Sequence, residues 1–291
     1  IEITNHEGLV DLIEPLMHAN HSAKSAIDGA LHDLIGKHLK KPMYDLLGGK
    51  KRLNAPMFWM IAGSKDEMEL AKARIDDGYI AFKVKVGMNL PEHDLVRSEQ
   101  SRKICGNGVH VSADANQGYS PPNAIKFAKG AGDAGLDFFE QPVNGHDIES
   151  MKNCAAVCSV PIAADEGIHS IEDIQKHYDQ KAAMGGSLKL IKLGSASGVM
   201  EGAKLMQKLS MSVNLAGKTA DTSIGSAAIS HLAVSLPTLE WDASVTNQYL
   251  ADDVVKNPIQ VVNGHIVTPD GPGLGIEVDE DKIEKYKRNL Q

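Results

Sequence analysis

IAFKVKVG (residues 80–87), VHVSADAN (109–116), LDFFEQPV (136–143), VPIAADEG (160–167) and SLKLIKLG (187–194) are five short runs of one kind. Each is rich in apolar, mostly β-branched or aromatic residues, and each carries a charged residue toward its end. One more run precedes them, LNAPMFWMIAG (53–63), and two follow, MSVNLAGK (211–218) and LPTLEWDA (236–243). Between most of them lie longer segments with apolar residues at helical spacing, such as SKDEMELAKARIDDG (64–78), which ends on a glycine where a helix stops, and GVMEGAKLMQKLS (198–210). Eight strands separated by helices predict repeated βαβ units and a parallel sheet. Eight units in roughly 190 residues fit a closed barrel better than an open sheet. No G-x-G-x-x-G follows the first strand and no G-x-x-x-x-G-K-[ST] is present, so neither a dinucleotide fold nor a phosphate-binding P-loop is expected.

The expected architecture is α/β: a (β/α)8-type barrel over residues 53–243, with a partial α+β capping domain drawn from both termini. Residues 1–52 read as two helices, one through Gly8–Met17 and one through Ala23–His38. Residues 244–291 contain VVNGHIV, a hairpin signal with Asn-Gly at its turn, then the rigid cluster PDGPGLG, and are expected to return to the cap.

Composition narrows the function. Thirty basic residues against 38 acidic ones give a net charge of −8, which argues against nucleic acid as a partner. A hydrophobic fraction of 42 % is enough to fill a large core. No apolar run approaches the roughly 18 residues of a membrane span. The opening IEITNHEGLV reads as neither a signal nor a transit peptide, and three cysteines are too few for a disulfide framework. A cytoplasmic protein acting on a small molecule is expected.

In a barrel of this kind working residues sit toward the C-terminal ends of the strands. Those positions hold Lys83 and Lys85, then Asp114, Glu140 and Asp165, then Lys189 or Lys192. Three successive strands thus end in one carboxylate each, which places all three on one side of the mouth. Like charges so close repel unless a cation sits among them. Carboxylates alone, with no His or Cys, suit Mg²⁺ or Mn²⁺ rather than zinc. Lys83 and Lys85 share a face of their strand and point inward if Val84 points out. Lys189 and Lys192, three apart, should face opposite sides of theirs, so one enters the barrel; the spacing favours Lys189. Two lysines flanking a metal-bound carboxylate can remove a proton from one face and return one to the other, and nearby positive charge lowers a lysine's pKa toward neutrality.

The strings FKVKVG, SADANQGY, FFEQPV, IAADEG and LKLIKLGS resemble the motif set of the enolase superfamily, in its muconate lactonizing enzyme subgroup. AKSAIDGALHDLIGKHLKKPMYDLLGG is similar to that family's capping helix and linker, and PDGPGLGIEVDED to its closing segment, so the resemblance covers nearly the whole chain. It implies a modified TIM barrel of (β/α)7β type and Mg²⁺-dependent abstraction of a proton next to a carboxylate, through an enolate. It implies Asp114, Glu140 and Asp165 as metal ligands, Lys85 as base on one face, Lys83 as its electrostatic partner and Lys189 as acid/base on the other face. Asn116 and Glu166 would support the ligands from alongside. A homo-oligomer is implied as well. The chain departs from the family in three places: Met184 stands where an Asp is usual, Gly194-Ser195 where Gly-Gly is usual, and the cap's initial strands are missing.

Lysines on both faces make racemisation or epimerisation the expected outcome, with cycloisomerisation or dehydration reachable from the same intermediate. Asp221, after the seventh strand, and Trp241, taken to end the eighth, are expected to hold a cationic nitrogen, which points to an amino-acid derivative. Two rivals come from other classes: a Schiff-base aldolase using a sixth-strand lysine, and a non-catalytic relative that keeps the fold.

Overall fold

The computed structural model describes residues 18–287; the helix expected over Gly8–Met17 lies outside the described residues. Eight parallel strands lie side by side in chain order: β2 (Phe58–Ile61), β3 (Ala81–Lys85), β4 (His110–Asp114), β5 (Phe139–Glu140), β6 (Ile162–Ala164), β7 (Gly185–Leu188), β8 (Ser212–Ala216) and β9 (Ala243–Ser244). A parallel bridge between Met57 and Ala243 joins the two edges into a barrel. Helices follow the strands and cover the outside with residues such as Phe127, Met151, Ile174 and Met206, all fully buried.

Register decides what faces the axis. Lys85, Asp114, Glu140, Ala163, Gly185 and Ser212 stand opposite one another on successive strands, so their side chains lie on one face of the sheet. One layer lower, Lys83 pairs with Ser112. Alternate residues such as Val84, Ala113 and Phe139 point outward into the helical layer and are buried there.

Two of the expected strands come out shorter or divided. LNAPMFWMIAG is two elements, β1 (Ala55–Pro56) and β2. Pro56 has no N–H to give a ladder, and the chain changes partners around it. β1 joins a separate antiparallel sheet with the hairpin β10 (Val261–Val262) and β11 (His265–Ile266). That hairpin turns on Asn263 and Gly264, both with positive φ (49° and 69°), as a two-residue turn matching the strand twist requires. LPTLEWDA forms strand only from Ala243, so most of it lies before β9.

The C-terminal segment does two jobs. Its hairpin packs against β1, just before β2, at the N-terminal end of the barrel. The chain then reaches the helix His21–Leu39 and the short helix Met43–Leu46. There Met43 N–H donates to Gly273 O, Gly273 N–H to Lys41 O and Leu274 N–H to Asp33. Gly36 permits this crossing, because a Cβ there would lie 2.6 Å from the Gly273 backbone. No helix of the described residues is long and apolar enough to cross a membrane.

His231 ties these parts together. It is fully buried in the helix Ser223–Ser235, accepts a hydrogen bond from Tyr44 N–H at Nδ1 and stands 3.2 Å from Leu274 O at Nε2. The first bond needs a bare Nδ1, so the neutral tautomer with its proton on Nε2 satisfies both. Burial pushes its pKa down from 6.5 to about 4. The unfolded chain therefore binds the extra proton first, and this contribution to stability is complete above pH 6.5 and falls as pH drops toward 4. The loss should reach about 3 kcal/mol. His231→Phe should be less stable than wild type at pH 7, and the gap should narrow by pH 5. Urea midpoints of both proteins test this, and a gap that does not narrow would show that His231 does not carry the pH dependence.

Candidate active site

The C-terminal ends of β3 to β7 bring four lysines and three carboxylates into one space. Lys83, Asp114, Glu140, Asp165 and Lys192 are all buried, between 1 and 6 % exposed, while Lys85 and Lys189 are partly open. Each carboxylate meets an ammonium: Lys83 on Glu140, Lys85 Nζ 2.6 Å from Asp114 Oδ2, and Lys189 Nζ 2.5 Å from Asp165 Oδ2. β3 and β7 are four strands apart in a ring of eight, so Lys85 and Lys189 enter the mouth from opposite walls.

Lys192 also reaches Asp165, with Nζ 2.5 Å from Oδ1 and from the main-chain O, and it donates to Ser187 O. The expectation that only one of Lys189 and Lys192 could enter the barrel is therefore corrected. It assumed that the strand continues, but β7 ends at Leu188 and Leu190–Leu193 is a turn of helix. Residues three apart on a helix share a face. Asp165, between two ammoniums, is held well below the usual carboxylate range despite its burial. The two lysines respond in opposite directions. Burial opposes the charge on Lys189, but Asp165 and Glu140 outweigh it and hold the pKa above the ordinary value. Complete burial dominates at Lys192 and pushes its pKa down. Lys85 resembles Lys189: burial opposes its charge, Asp114 overcomes it, and the pKa rises.

The supporting residues come from loops of unusual backbone. Asn116 sits at φ 41°, donates its own N–H to Asp114 Oδ1, accepts from Lys85 at 2.7 Å and donates its side-chain amide to Glu166 Oε1 at 3.1 Å. Gln141, at φ 37°, was not singled out from the sequence. Its buried Oε1 accepts from Asp165 N–H and Gly167 N–H, and its Nε2 donates to Val143 O, so it fixes the loop that presents Asp165. Its signal was its place directly after Glu140 in FFEQPV. Ser187 and Asn214, on the inward faces of β7 and β8, were also missed; small polar residues inside a strand give no sign of their direction until the register is known.

Trp241 is not at the mouth. β9 starts after it, so Trp241 lies at the N-terminal end of the barrel, stacked on Phe138 with ring centroids 4.2 Å apart and planes at 12°. Gly185 faces it, and a Cβ there would lie 2.3 Å from the indole. Asp221 does border the upper end, but its carboxylate accepts from Lys218 N–H and its own N–H donates to Thr246 Oγ1. The expected pairing of Asp221 and Trp241 around a cationic nitrogen is not formed, because the two lie at different ends of the barrel. Two departures from the family pattern are also placed. Met184 precedes β7 at the lower end, away from the mouth, and Ser195 caps the helix Ala196–Lys208 by accepting from Gly198 N–H.

Among the described residues no three His, Cys, Asp or Glu side chains stand together closely enough to hold a metal ion, since the carboxylates are turned onto the lysines. The donor set nonetheless fits a hard divalent cation. Asp114, Glu140 and Asp165 offer oxygen alone, and beside them Glu166 Oε2 is buried with no hydrogen-bond partner. Burial and then the charge of Asp165 push the Glu166 carboxyl up, the response of an acid that lacks a positive neighbour.

The mouth holds a cavity of about 340 Å³, whose remaining wall is Phe58, Met60, Ala216, Lys218, Ser244 and Thr246. A second, largely apolar cavity of about 500 Å³ shares Lys189, Ala216, Gly217 and Lys218 with it and runs beneath the helix His21–Leu39.

Known proteins share this fold. A family model described as enolase C-terminal domain-like matches residues 66–282, and one for the mandelate racemase / muconate lactonizing enzyme N-terminal domain matches residues 2–48. Chloromuconate cycloisomerase of Pseudomonas putida is 30 % identical over 99 % of this chain and 78 % of its own length. N-succinyl-L-Arg/Lys racemase of Bacillus cereus is 31 % identical over 97 % of this chain and 76 % of its own. L-Ala-D/L-Glu epimerase of Clostridium acetobutylicum is 31 % identical over 95 % and 78 %. The crystal structure of muconate cycloisomerase from Pseudomonas fluorescens superposes with a TM-score of 0.94 at 27 % identity, covering 99 % of this chain and 81 % of that one. Family models that span most of the chain, similarity to cycloisomerases, a racemase and an epimerase, and a shared barrel lead to one conclusion: the chain belongs to the enolase superfamily, in its muconate lactonizing enzyme subgroup, and is an isomerase of the proton-abstracting kind.

Proposed function

We propose that the chain racemises or epimerises an amino-acid derivative at the carbon next to its carboxylate, with Mg²⁺ or Mn²⁺ held by Asp114, Glu140 and Asp165. The observation that carries this reading is that Lys85 and Lys189 reach the row of acids from opposite walls. A base on one side and an acid on the other exchange a proton at one carbon with inversion. When bound, the cation supplies positive charge that polarises the substrate carboxylate and makes the α-proton more acidic.

The chain's own residues do the rest. An amine freed from its carboxylate keeps the cost of burial and loses the attraction, so it holds its proton less tightly and can act as base. Lys85 takes the α-proton from one face, and Lys189, still protonated, delivers to the other; in the reverse direction they exchange roles. Lys83, buried on Glu140 and 4.3 Å from the centre of the Phe58 ring, offsets the negative charge of the enolate. Glu166 and Asn116 hold Asp114 and Lys85 in place from alongside.

Among the described residues the wall of the mouth opposite the acids is apolar or hydroxyl-bearing, with Lys218 at its edge, and carries no carboxylate; Asp221, in the adjoining cavity, accepts from Lys218 N–H. The substrate nitrogen is therefore read as acylated and uncharged, with its substituent extending into the larger cavity. A second reading, cycloisomerisation of an unsaturated dicarboxylate, is favoured by the likeness to the Pseudomonas cycloisomerases. It uses the same lysines but consumes a double bond.

Proton NMR in D₂O with Mg²⁺ tests the reading on N-acylated amino acids of each hand. Wild type should replace the α-proton of both enantiomers. Lys85→Ala and Lys189→Ala should each lose turnover by at least about 10²-fold. Each should also lose exchange from one enantiomer only, and opposite ones. Full activity in both variants would sink the two-lysine mechanism. Loss of diene absorbance with no α-exchange would favour the cycloisomerase, and a borohydride-trapped adduct would favour a Schiff base. Asp114→Asn should weaken Mg²⁺ binding by about tenfold or more in a calorimetric titration; unchanged affinity would remove Asp114 from the ligand set.

A further inference from the structure

We propose that Ser187 and Asn214 form a positioning relay that sets Glu140 for a cation; the proposal rests on the metal reading above. The argument is a count of hydrogens. Ser187, Asn214 and Glu140 are all between 0 and 1 % exposed, so no solvent completes their bonding. Asn214 Nδ2 donates to both Trp241 O at 2.6 Å and Asp242 O at 3.1 Å, which uses both amide hydrogens. Asn214 Oδ1 is thereby turned to Ser187 Oγ, 2.7 Å away. The same Oγ lies 2.5 Å from Glu140 Oε1. A hydroxyl has one proton, and here it faces two acceptors.

The chain of groups from the turn before β9 through β8 and β7 to Glu140 is therefore one donor short: the carboxylate is the stronger acceptor and takes the Ser187 proton, which leaves Asn214 Oδ1 without one. The other Glu140 oxygen is served by Lys83. A buried acceptor without a partner is costly. A cation on Glu140 makes up the deficit and lets the Ser187 proton pass to Asn214.

The far end of the relay is built with some strain. Successive carbonyls of a regular strand point in opposite directions, yet Trp241 O and Asp242 O both accept from Asn214. They can do so because Asp242 adopts φ 61°, a left-handed conformation that a non-glycine residue rarely takes. The Asp242 carboxylate is held in turn by His110 Nδ1 at 2.9 Å. Backbone strain of this kind persists where the surroundings enforce it. Here it aims the amide, the amide orients the hydroxyl, and the hydroxyl fixes the carboxylate.

The test is binding of Mn²⁺ alone to the full chain, counted by EPR of the free ion, with thermal melting as the check on folding. Ser187→Ala should bind about tenfold or more weakly, the usual cost of removing support from a ligand. Asn214→Leu should lose a similar amount, and the double variant no more than either single one, because the two act in series. Ser187→Thr, which keeps the hydroxyl, should stay within about threefold of wild type. If Ser187→Ala does not fold, Ser187→Cys takes its place, keeping the bulk and giving up most of the donor strength. A folded Ser187→Ala or Ser187→Cys with wild-type affinity would overturn the relay while leaving the metal reading intact, as would losses that multiply in the double variant. Absence of Mn²⁺ binding to wild type would overturn the metal reading and the relay together.

Discussion

Lys83 and Glu140 face each other across the inside of the barrel, 3 % and 1 % exposed. A lone ammonium or carboxylate at that depth would cost several kcal/mol, so neither can be there without the other. Both lie on inward positions of strands whose register is fixed by hydrogen bonds to β4 between them. A slip of one residue on either strand would turn its charge into the apolar layer under the helices, where Val84 and Phe139 now sit. The pair is a weak source of stability and a strict condition on alignment, and the rest of the mouth follows from it. With β3, β4 and β5 in this register, Lys85 meets Asp114. With β6 and β7 carried on in the same register, Lys189 meets Asp165.

The barrel interior changes character along its axis. At the lower end Trp241, Phe138 and Ala163 form an apolar plug, with Gly185 leaving room for the indole. Above it come the neutral polar residues Ser187 and Asn214, and then the charged layer. Charges this close to an apolar floor are poorly screened, so each one acts strongly on its neighbours. The C-terminal segment pairs its hairpin with β1, just before the barrel's first strand, and then ties itself to the cap helices. One stretch of chain thus links the cap to the barrel. The charged residues gather at the end where loops such as Asn116-Gln117 and the one after Gln141 carry them, the end at which barrels of this kind place their working residues.

The same frame explains how relatives at similar identity include cycloisomerases, a racemase and an epimerase. The lysines and acids lie on strands and strand ends, and in the proposed mechanism they handle the proton. The walls that meet the rest of the substrate, formed by residues such as Met60, Ala216 and Thr246 and by the helix His21–Leu39, lie outside that framework and can vary without disturbing it.

The eight strand-helix units, the barrel and the residues that converge at its mouth were legible in the sequence. Their signals are local: a short apolar run, a helical segment, and one charged residue near the end of each strand at a near-constant interval. Lys83-Val84-Lys85 announces two inward lysines because alternation along a strand needs no information from elsewhere. Three things were not legible, each for a tertiary reason. Trp241 was assigned to the wrong end because an apolar run does not reveal where its hydrogen bonds begin, and β9 starts only at Ala243. Only one of Lys189 and Lys192 was expected to enter the barrel because the strand was assumed to continue, whereas the chain turns helical at Leu190 and brings both to Asp165. Ser187, Asn214 and Gln141 passed unnoticed because a small polar residue gains meaning only from its partners, and those partners come from strands and loops about 25 residues or more away in the chain. The sequence by itself determined which groups line the barrel; only the tertiary structure decided which of them touch, because contact depends on register and on where each strand stops.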